Sequence, residues 1–328
     1  MLLATLTGGA RRLLRSGLVA TLACGFLTSA MGNTASAQGI VPGTGTKVTK
    51  VGDDFEDEKW QYVFNNPKAS SNIDKEMRQP SGGATNGRWW ESMYRGHPDI
   101  IQRVTPPEGG IPGSKGAMLL QTKESGIPGS LTHDVQQDDL LASVSNIIGS
   151  VAPGRGPSVV VRVYVPPFQE WEGRTGSSFG VRLDCQTTIT KQSAGGFLRS
   201  SKSMRKTEPY WPGMFIQLVS KRDGRAQEDT AHILIRSDEQ GRDLMGPKLK
   251  PSTWYTLGMS VTSNGMVHYY VKEGVGQLTA KDHVQSQFPY GYRAEFIHTF
   301  FFNVVNQDNG RSWSTKWIVD DCEFFLAN

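Results

Sequence analysis

Apolar and polar residues alternate with a period of two along most of the chain, in runs bounded by Gly, Pro, Asn and Asp. Such alternation puts one side of an extended strand into a core and the other into solvent. It predicts strands at 53–56, 60–65, 88–93, 117–122, 158–165, 178–185, 214–220, 231–236, 254–262, 266–272, 296–305 and 316–326. One stretch differs. Leu140, Leu141, Val144, Ile147 and Ile148 recur at helical spacing behind Asp138-Asp139, acids that suit a helix N-terminus. The pattern as a whole predicts an all-β, antiparallel sandwich with one short helix, because sheets with a single apolar face must bury it against one another.

Two local features sharpen this. Asn264-Gly265 separates two strong strands, and Asn-Gly is the favoured pair for a two-residue hairpin turn, so 254–262 and 266–272 should pair antiparallel. In the last strand, Trp317 and Val319 share one phase while Cys322, Phe324 and Leu326 hold the other. A phase change at Asp320-Asp321 predicts a bulge there, or a strand buried on both faces.

The first 37 residues read differently. Arg11, Arg12 and Arg15 precede the short apolar run Leu18 to Leu27, and Ala35-Ser36-Ala37 offers a small-residue cleavage site. That order is the signature of a secretory signal peptide at 1–37, with an apolar run too short to span a bilayer. Arg11-Arg12 also resembles a twin-arginine signal, and Thr21 to Cys24 resembles a lipoprotein box, but cleavage near Ala37 is the expectation. Export to the periplasm or beyond the cell follows. Residues 38–50 read as a linker and 51–328 as one sandwich domain.

The formal charge of +4 comes from 35 Lys and Arg against 31 Asp and Glu. Removing the three leader arginines leaves 32 against 31. A near-neutral surface argues against a nucleic-acid partner, whose binding depends on concentrated positive charge. No later run is apolar for long enough to cross a membrane as a helix. Two cysteines remain after the leader, Cys185 and Cys322. In an oxidising compartment they either pair, for roughly 4 kcal/mol on the chain-entropy model, or stay as two buried thiols.

Three motifs carry a family resemblance. They are Asp53-Asp54-Phe55-Glu56-Asp57 with Trp60, then Trp254-Tyr255-Thr256-Leu257 with Asn264 to Tyr270, and finally Trp317-Ile318-Val319-Asp320-Asp321. Together they resemble the concanavalin A-like lectin/glucanase group, and the whole is similar to uncharacterised exported bacterial proteins. The resemblance implies a jelly-roll sandwich with its terminal strands side by side, and polysaccharide binding or cleavage. The Glu-x-Asp-x-x-Glu run of the glucanase branch is absent from this sequence, which argues against a retaining glycosidase of that type.

Candidate ligand-binding residues fall in two groups. Trp89, Trp90, Tyr94 and Arg95 form an aromatic cluster suited to stacking on sugar rings, though adjacent tryptophans on a strand face opposite ways. Arg182, Asp184, Gln217, His232, His268 and Tyr270 occupy polar positions of alternating strands. If gathered on one concave face, Arg182 or Gln217 would neutralise a uronate while His268 or Tyr270 moved its proton, the groups of a metal-free lyase. Tyr270 to Gly274 also resembles the Tyr-x-Lys-x-Gly strand of alginate-lyase jelly rolls. Lys191 to Lys206, basic and free of acids, reads as a surface loop or a basic flap over an anionic glycan.

No cofactor is required by any motif, and no His or Cys spacing suits zinc. A structural calcium is the one metal considered. If the terminal strands adjoin, Glu56 or Asp57 would meet Asp320 or Asp321. The loop 306–313, with Trp313 at its tip, reads as an ordinary polar turn. No nucleophile elbow, phosphate loop or dinucleotide fingerprint occurs. The leading expectation is a polysaccharide or glycan binder; a lyase for acidic polysaccharide and a structural envelope protein are the alternatives.

Overall fold

The computed structural model describes residues 39–70, 78–124, 135–192, 203–224, 226–236 and 242–327. The expected leader 1–37 lies outside them. In chain order the strands begin β1 (Thr46–Asp53), β2 (Tyr62–Val63), β3 (Gly83–Ala84), β4 (Trp89–Glu91), β5 (Ile100–Val104) and β6 (Ala117–Gln121). They continue with β7 (Gln136–Ala142), β8 (Ser158–Val165), β9 (Gly176–Gln192), β10 (Ser203–Tyr210), β11 (Gly213–Val219) and β12 (Thr230–Ile235). The remaining strands are β13 (Leu244–Leu249), β14 (Thr253–Val261), β15 (Val267–Glu273), β16 (His283–Gln287), β17 (Phe296–Asn306) and β18 (Trp317–Leu326).

They form two antiparallel sheets, a sandwich of the jelly-roll kind. The 8-stranded sheet runs β16-β15-β14-β8-β18-β6-β5, with β1 also paired to β18. The 10-stranded sheet runs β13-β12-β11-β9-β17-β7-β4-β3-β2, with β10 paired to β9. Aromatic side chains fill the space between. Phe179 stacks on Trp317 with ring centroids 5.2 Å apart, and Trp89 stacks on Phe302 at the same separation. The first contact bridges the sheets, from β9 to β18, and the second packs β4 against β17 within the ten-stranded sheet.

The hairpin and the bulge stand where the sequence places them. Val261 pairs with Val267 across the Asn264-Gly265 turn, and Gly265 takes the positive φ of 78° that the turn needs. The β18–β8 register jumps between Asp320 and Glu323, and Asp321 has φ 40°. The extra residue lets Trp317 and Val319 on one side of the bulge, and Cys322, Phe324 and Leu326 on the other, all reach the core. The terminal strands do lie side by side: Thr46 pairs with Leu326.

Three expectations need correction. Residues 46–50 are not linker but strand, tied to β18. Leu140 and Leu141 are not helical; they sit in β7, Leu140 in the core and Leu141 opposite Phe301 on the outer side. Within that stretch the helix is confined to α1 (Val144–Ile148). The basic run is not a simple loop, because Lys191 belongs to β9 while Arg205 and Lys206 belong to β10, paired as a hairpin; its middle, 193–202, lies outside the described residues.

Cys185 on β9 and Cys322 on β18 are both buried and both free, with burial pushing each thiol well above its ordinary pKa. No described helix is long and apolar enough to cross a membrane.

Candidate functional site

Alternate residues of β9 divide cleanly. Phe179, Val181 and Leu183 enter the core, so Gly180, Arg182 and Asp184 face out from the ten-stranded sheet. Strand register then sets the neighbours. One cross-strand row on this outer face is Trp90, Leu141, Phe301, Arg182 and Gly213. The next is Asp139, Asn303, Gly180, Phe215 and Leu234. Gln217, His232 and Lys248 make a further row toward the β13 edge.

Arg182 is the fixed point of this face. Its guanidinium lies 5.4 Å from the Phe215 ring centroid and 5.3 Å from that of Phe301, and its Nη2 donates to the Trp211 carbonyl at 2.9 Å. Two aromatic faces and a carbonyl hold it by cation–π attraction and a hydrogen bond. Gly213 makes room for the stem, because a Cβ there would stand 2.7 Å from Arg182 Cγ. Burial lowers the Arg182 pKa to about 10, which leaves it cationic at neutral pH.

Polar groups surround it. Asn303 Nδ2 donates to Asp139 Oδ1 at 2.6 Å. Arg95 Nη1 stands 3.8 Å from Asp139 Oδ2 and donates to Gln137 Oε1 at 2.5 Å. Arg236 also lies over Phe215, 4.9 Å from its centroid, and pairs with Asp243 at 3.3 Å. Burial raises the pKa values of Asp139, Asp184 and Asp243, opposed in each case by nearby cations. Trp90 and Trp211 remain 40% and 38% exposed, which leaves part of each indole available to a ligand.

Residues singled out from the sequence therefore divide. Trp90, Arg95, Arg182 and Gln217 come together on this face, with exposed Tyr94 in the turn after β4. Trp89 does not, being fully buried in the core. His268 and Tyr270 are on β15 of the other sheet, so the structure does not unite them with Arg182. They lie beneath residues 39–41: a Cβ on Gly39 would stand 2.7 Å from both His268 Nδ1 and the Tyr270 hydroxyl, and Ser260 Oγ donates to Ile40 O at 2.6 Å. His268 Nε2 is 2.9 Å from Thr262 Oγ1 and its Nδ1 2.7 Å from Ser286 Oγ. Burial, then His283, lowers its pKa to about 4.

The sequence reading missed Asp139, Asn303, Phe215, Phe301, Trp211 and Arg236. A faint signal existed for Asn303, the one polar residue in Phe300 to Val305.

The proposed calcium ligands meet only in part. Ser114 Oγ lies 3.0 Å from Glu56 Oε1 and 2.9 Å from Asp320 Oδ2, so a hydroxyl bridges that pair. Asp57 instead accepts from the Lys59 amide, and Asp321 faces Arg162 at 3.9 Å. Among the described residues no three His, Cys, Asp or Glu side chains converge as metal ligands. Glu58, Trp60, Tyr62, Ile101, Gln102 and Arg103 line a separate cleft of about 350 Å³. Its polar groups serve the fold: Trp60 Nε1 donates to Asp53 and Arg103 Nε to the Phe55 carbonyl.

No protein-family model matches the chain, and no curated protein matches it. Among solved structures, it is similar to a carbohydrate esterase from the Shiga toxin-encoding bacteriophage phi24B, at 9% identity and TM-score 0.42, over 74% of this chain and 91% of that one. It is similar to an alginate lyase of polysaccharide lyase family 7, at 9% identity and TM-score 0.37, over 88% and 100%. Peanut lectin aligns at 11% identity and TM-score 0.33, over 70% and 98%.

Proposed function

We propose that the chain is an exported protein that binds an extracellular or envelope polysaccharide on the outer face of its ten-stranded sheet. One observation carries this reading: Arg182, clamped between Phe215 and Phe301, shares a cross-strand row with exposed Trp90 and has exposed Trp211 beside it. Indole faces stack on the apolar faces of sugar rings, while a fixed guanidinium bonds hydroxyls or a carboxylate. From β4 to β9 is three strand steps, about 14 Å at the usual interstrand spacing. That length suits several sugar units rather than one.

Binding is favoured over lyase turnover because Tyr270 and His268, the proton-moving groups of the lyase reading, sit on the other sheet under residues 39–41. A saccharide array probed with the wild type and Arg182→Ala tests the reading. Retention of an acidic or neutral polysaccharide that Arg182→Ala loses supports it. Equal retention by both would reject this face as the binding surface, and growth of unsaturated-uronate absorbance would replace binding with cleavage.

A further inference from the structure

Asp138 and Asp139 are neighbours on β7 and so point to opposite sides. Asp139 joins the glycan-facing surface. Asp138 enters a closed polar cluster with Lys68, Asp99 and Thr122. Lys68 Nζ lies 2.7 Å from Asp138 Oδ2 and 2.8 Å from Asp99 Oδ1, and donates to the Glu124 carbonyl at 2.8 Å. The Lys68 side chain is 1% exposed and that of Asp138 0%. Its stem passes Gly96, where a Cβ would stand 2.8 Å from Lys68 Cβ. Thr122 Oγ1 touches both acids, at 3.0 Å from Asp99 Oδ2 and in direct hydrogen-bond contact with Asp138 Oδ2. Asp138 Oδ1 is buried without a partner.

A simple buried ion pair would satisfy both carboxylate oxygens, since a bare buried acceptor is costly. This arrangement instead presents an amine to one carboxyl and places a second acid against the amine and, through the Thr122 hydroxyl, next to that carboxyl. We propose that Lys68 and Asp138 condense into an intramolecular isopeptide bond, with Asp99 carrying the proton.

The steps balance without an oxidant or cofactor. Asp99 Oδ1 takes a proton from the Lys68 ammonium. The freed amine attacks Cγ of Asp138 in its neutral acid form, making the C–N bond. The C–Oδ2 bond breaks and Oδ2 leaves as water, protonated through Thr122 from Asp99 Oδ2, while the amine's second proton returns to Asp99. The products are one amide, one water and a neutral Asp99.

Burial raises the Asp138 pKa to about 7 against the pull of Lys68, so the neutral acid is populated near neutrality. Lys68 holds its proton because two carboxylates flank it, which is why a base in contact with it is required. Effective molarities of about 10⁵ M and more are known for groups held in such contact. The product removes two charges from the interior and ties the segment after β2 to β7 covalently.

The test is peptide mapping of the purified full-length chain, denatured and digested with trypsin. The expected result is a branched peptide joining the Lys68 and Asp138 segments, lighter by one water than the two together, with no cleavage after Lys68. Asp99→Asn should give linear peptides from a protein with the wild-type circular dichroism spectrum. A linear peptide ending at Lys68 from natively folded wild type overturns the proposal, as does a water loss mapped to other residues. The wild-type digest decides even if the variant fails to fold.

Discussion

The ring of Phe215 occupies the space that a side chain at Gly180 would fill: a Cβ there would stand 2.7 Å from two of its ring carbons. Phe215 in turn supports both Arg182 and Arg236. Gly180→Ala is therefore expected to push the ring off the sheet and unseat both guanidinium groups. Overpacking of this kind costs about 1–3 kcal/mol, readable as a shift in the denaturant midpoint, and polysaccharide retention should fall with it. Unchanged stability and unchanged binding would mean that the ring is not fixed by the glycine.

Truncating the exposed indoles should act on binding alone. Trp90→Ala and Trp211→Ala each remove a stacking contact of about 0.5–1.5 kcal/mol, roughly a 2- to 13-fold loss of affinity by titration calorimetry. Tyr270→Phe and His268→Gln, on the opposite sheet, should bind the same saccharide as the wild type does. If the second pair weakens binding and the first does not, the ligand sits on the other face of the sandwich.

His268 makes the acid stability of the fold depend on pH in a defined direction. Its folded pKa is about 4 against an ordinary 6.5, so between those values the unfolded chain binds the extra proton and the folded one does not. Stability is thus lost as pH falls from about 6.5 toward 4, by up to about 3 kcal/mol. His283, Ser286, Thr262, Tyr270 and residues 39–40 surround the ring. His268→Gln should flatten this limb of a stability-against-pH curve measured by chemical denaturation. A slope that persists in the variant would assign it elsewhere.

Both thiols should be silent in the native protein. Cys185 and Cys322 face the core and keep their protons, and reactivity belongs to exposed thiolates. Iodoacetamide is expected to label neither under native conditions and both in denaturant without reductant, as read by mass. Two labels appearing only after reduction would reveal a disulfide.

Local order was largely legible because it depends on neighbours in sequence. The Asn264-Gly265 hairpin and the Asp320-Asp321 bulge each announce themselves within a few residues, as turn chemistry and as a change of phase. Leu140 and Leu141 misled for the same reason. Their spacing to Val144 and Ile147 imitates a helical stripe, yet β7 is flanked by β17 and β4, and those pairings override local preference.

The site was legible only in composition. Alternation told which side of its strand Arg182 or Tyr270 would occupy, but not which sheet each strand joins. That depends on pairings across long stretches of chain: β9 meets β17, and the β14–β15 hairpin joins its sheet through the pairing of β14 with β8. Nothing near Tyr270 indicates that residues 39–41 will cover it. Phe215 and Phe301 carry no polar group to mark them as site residues in the sequence, yet they form the walls of a cationic clamp.

The place of β18 has a consequence for how the molecule can assemble. Its partners β1, β6 and β8 all precede it in the chain, and it fills the gap between β8 on one side and β6 and β1 on the other. Until it is threaded in, the eight-stranded layer is a four-stranded ribbon, a two-stranded ribbon and the unpaired β1, all with open edges. During synthesis the nascent chain would therefore stay uncommitted, and closure would come as one late, cooperative event.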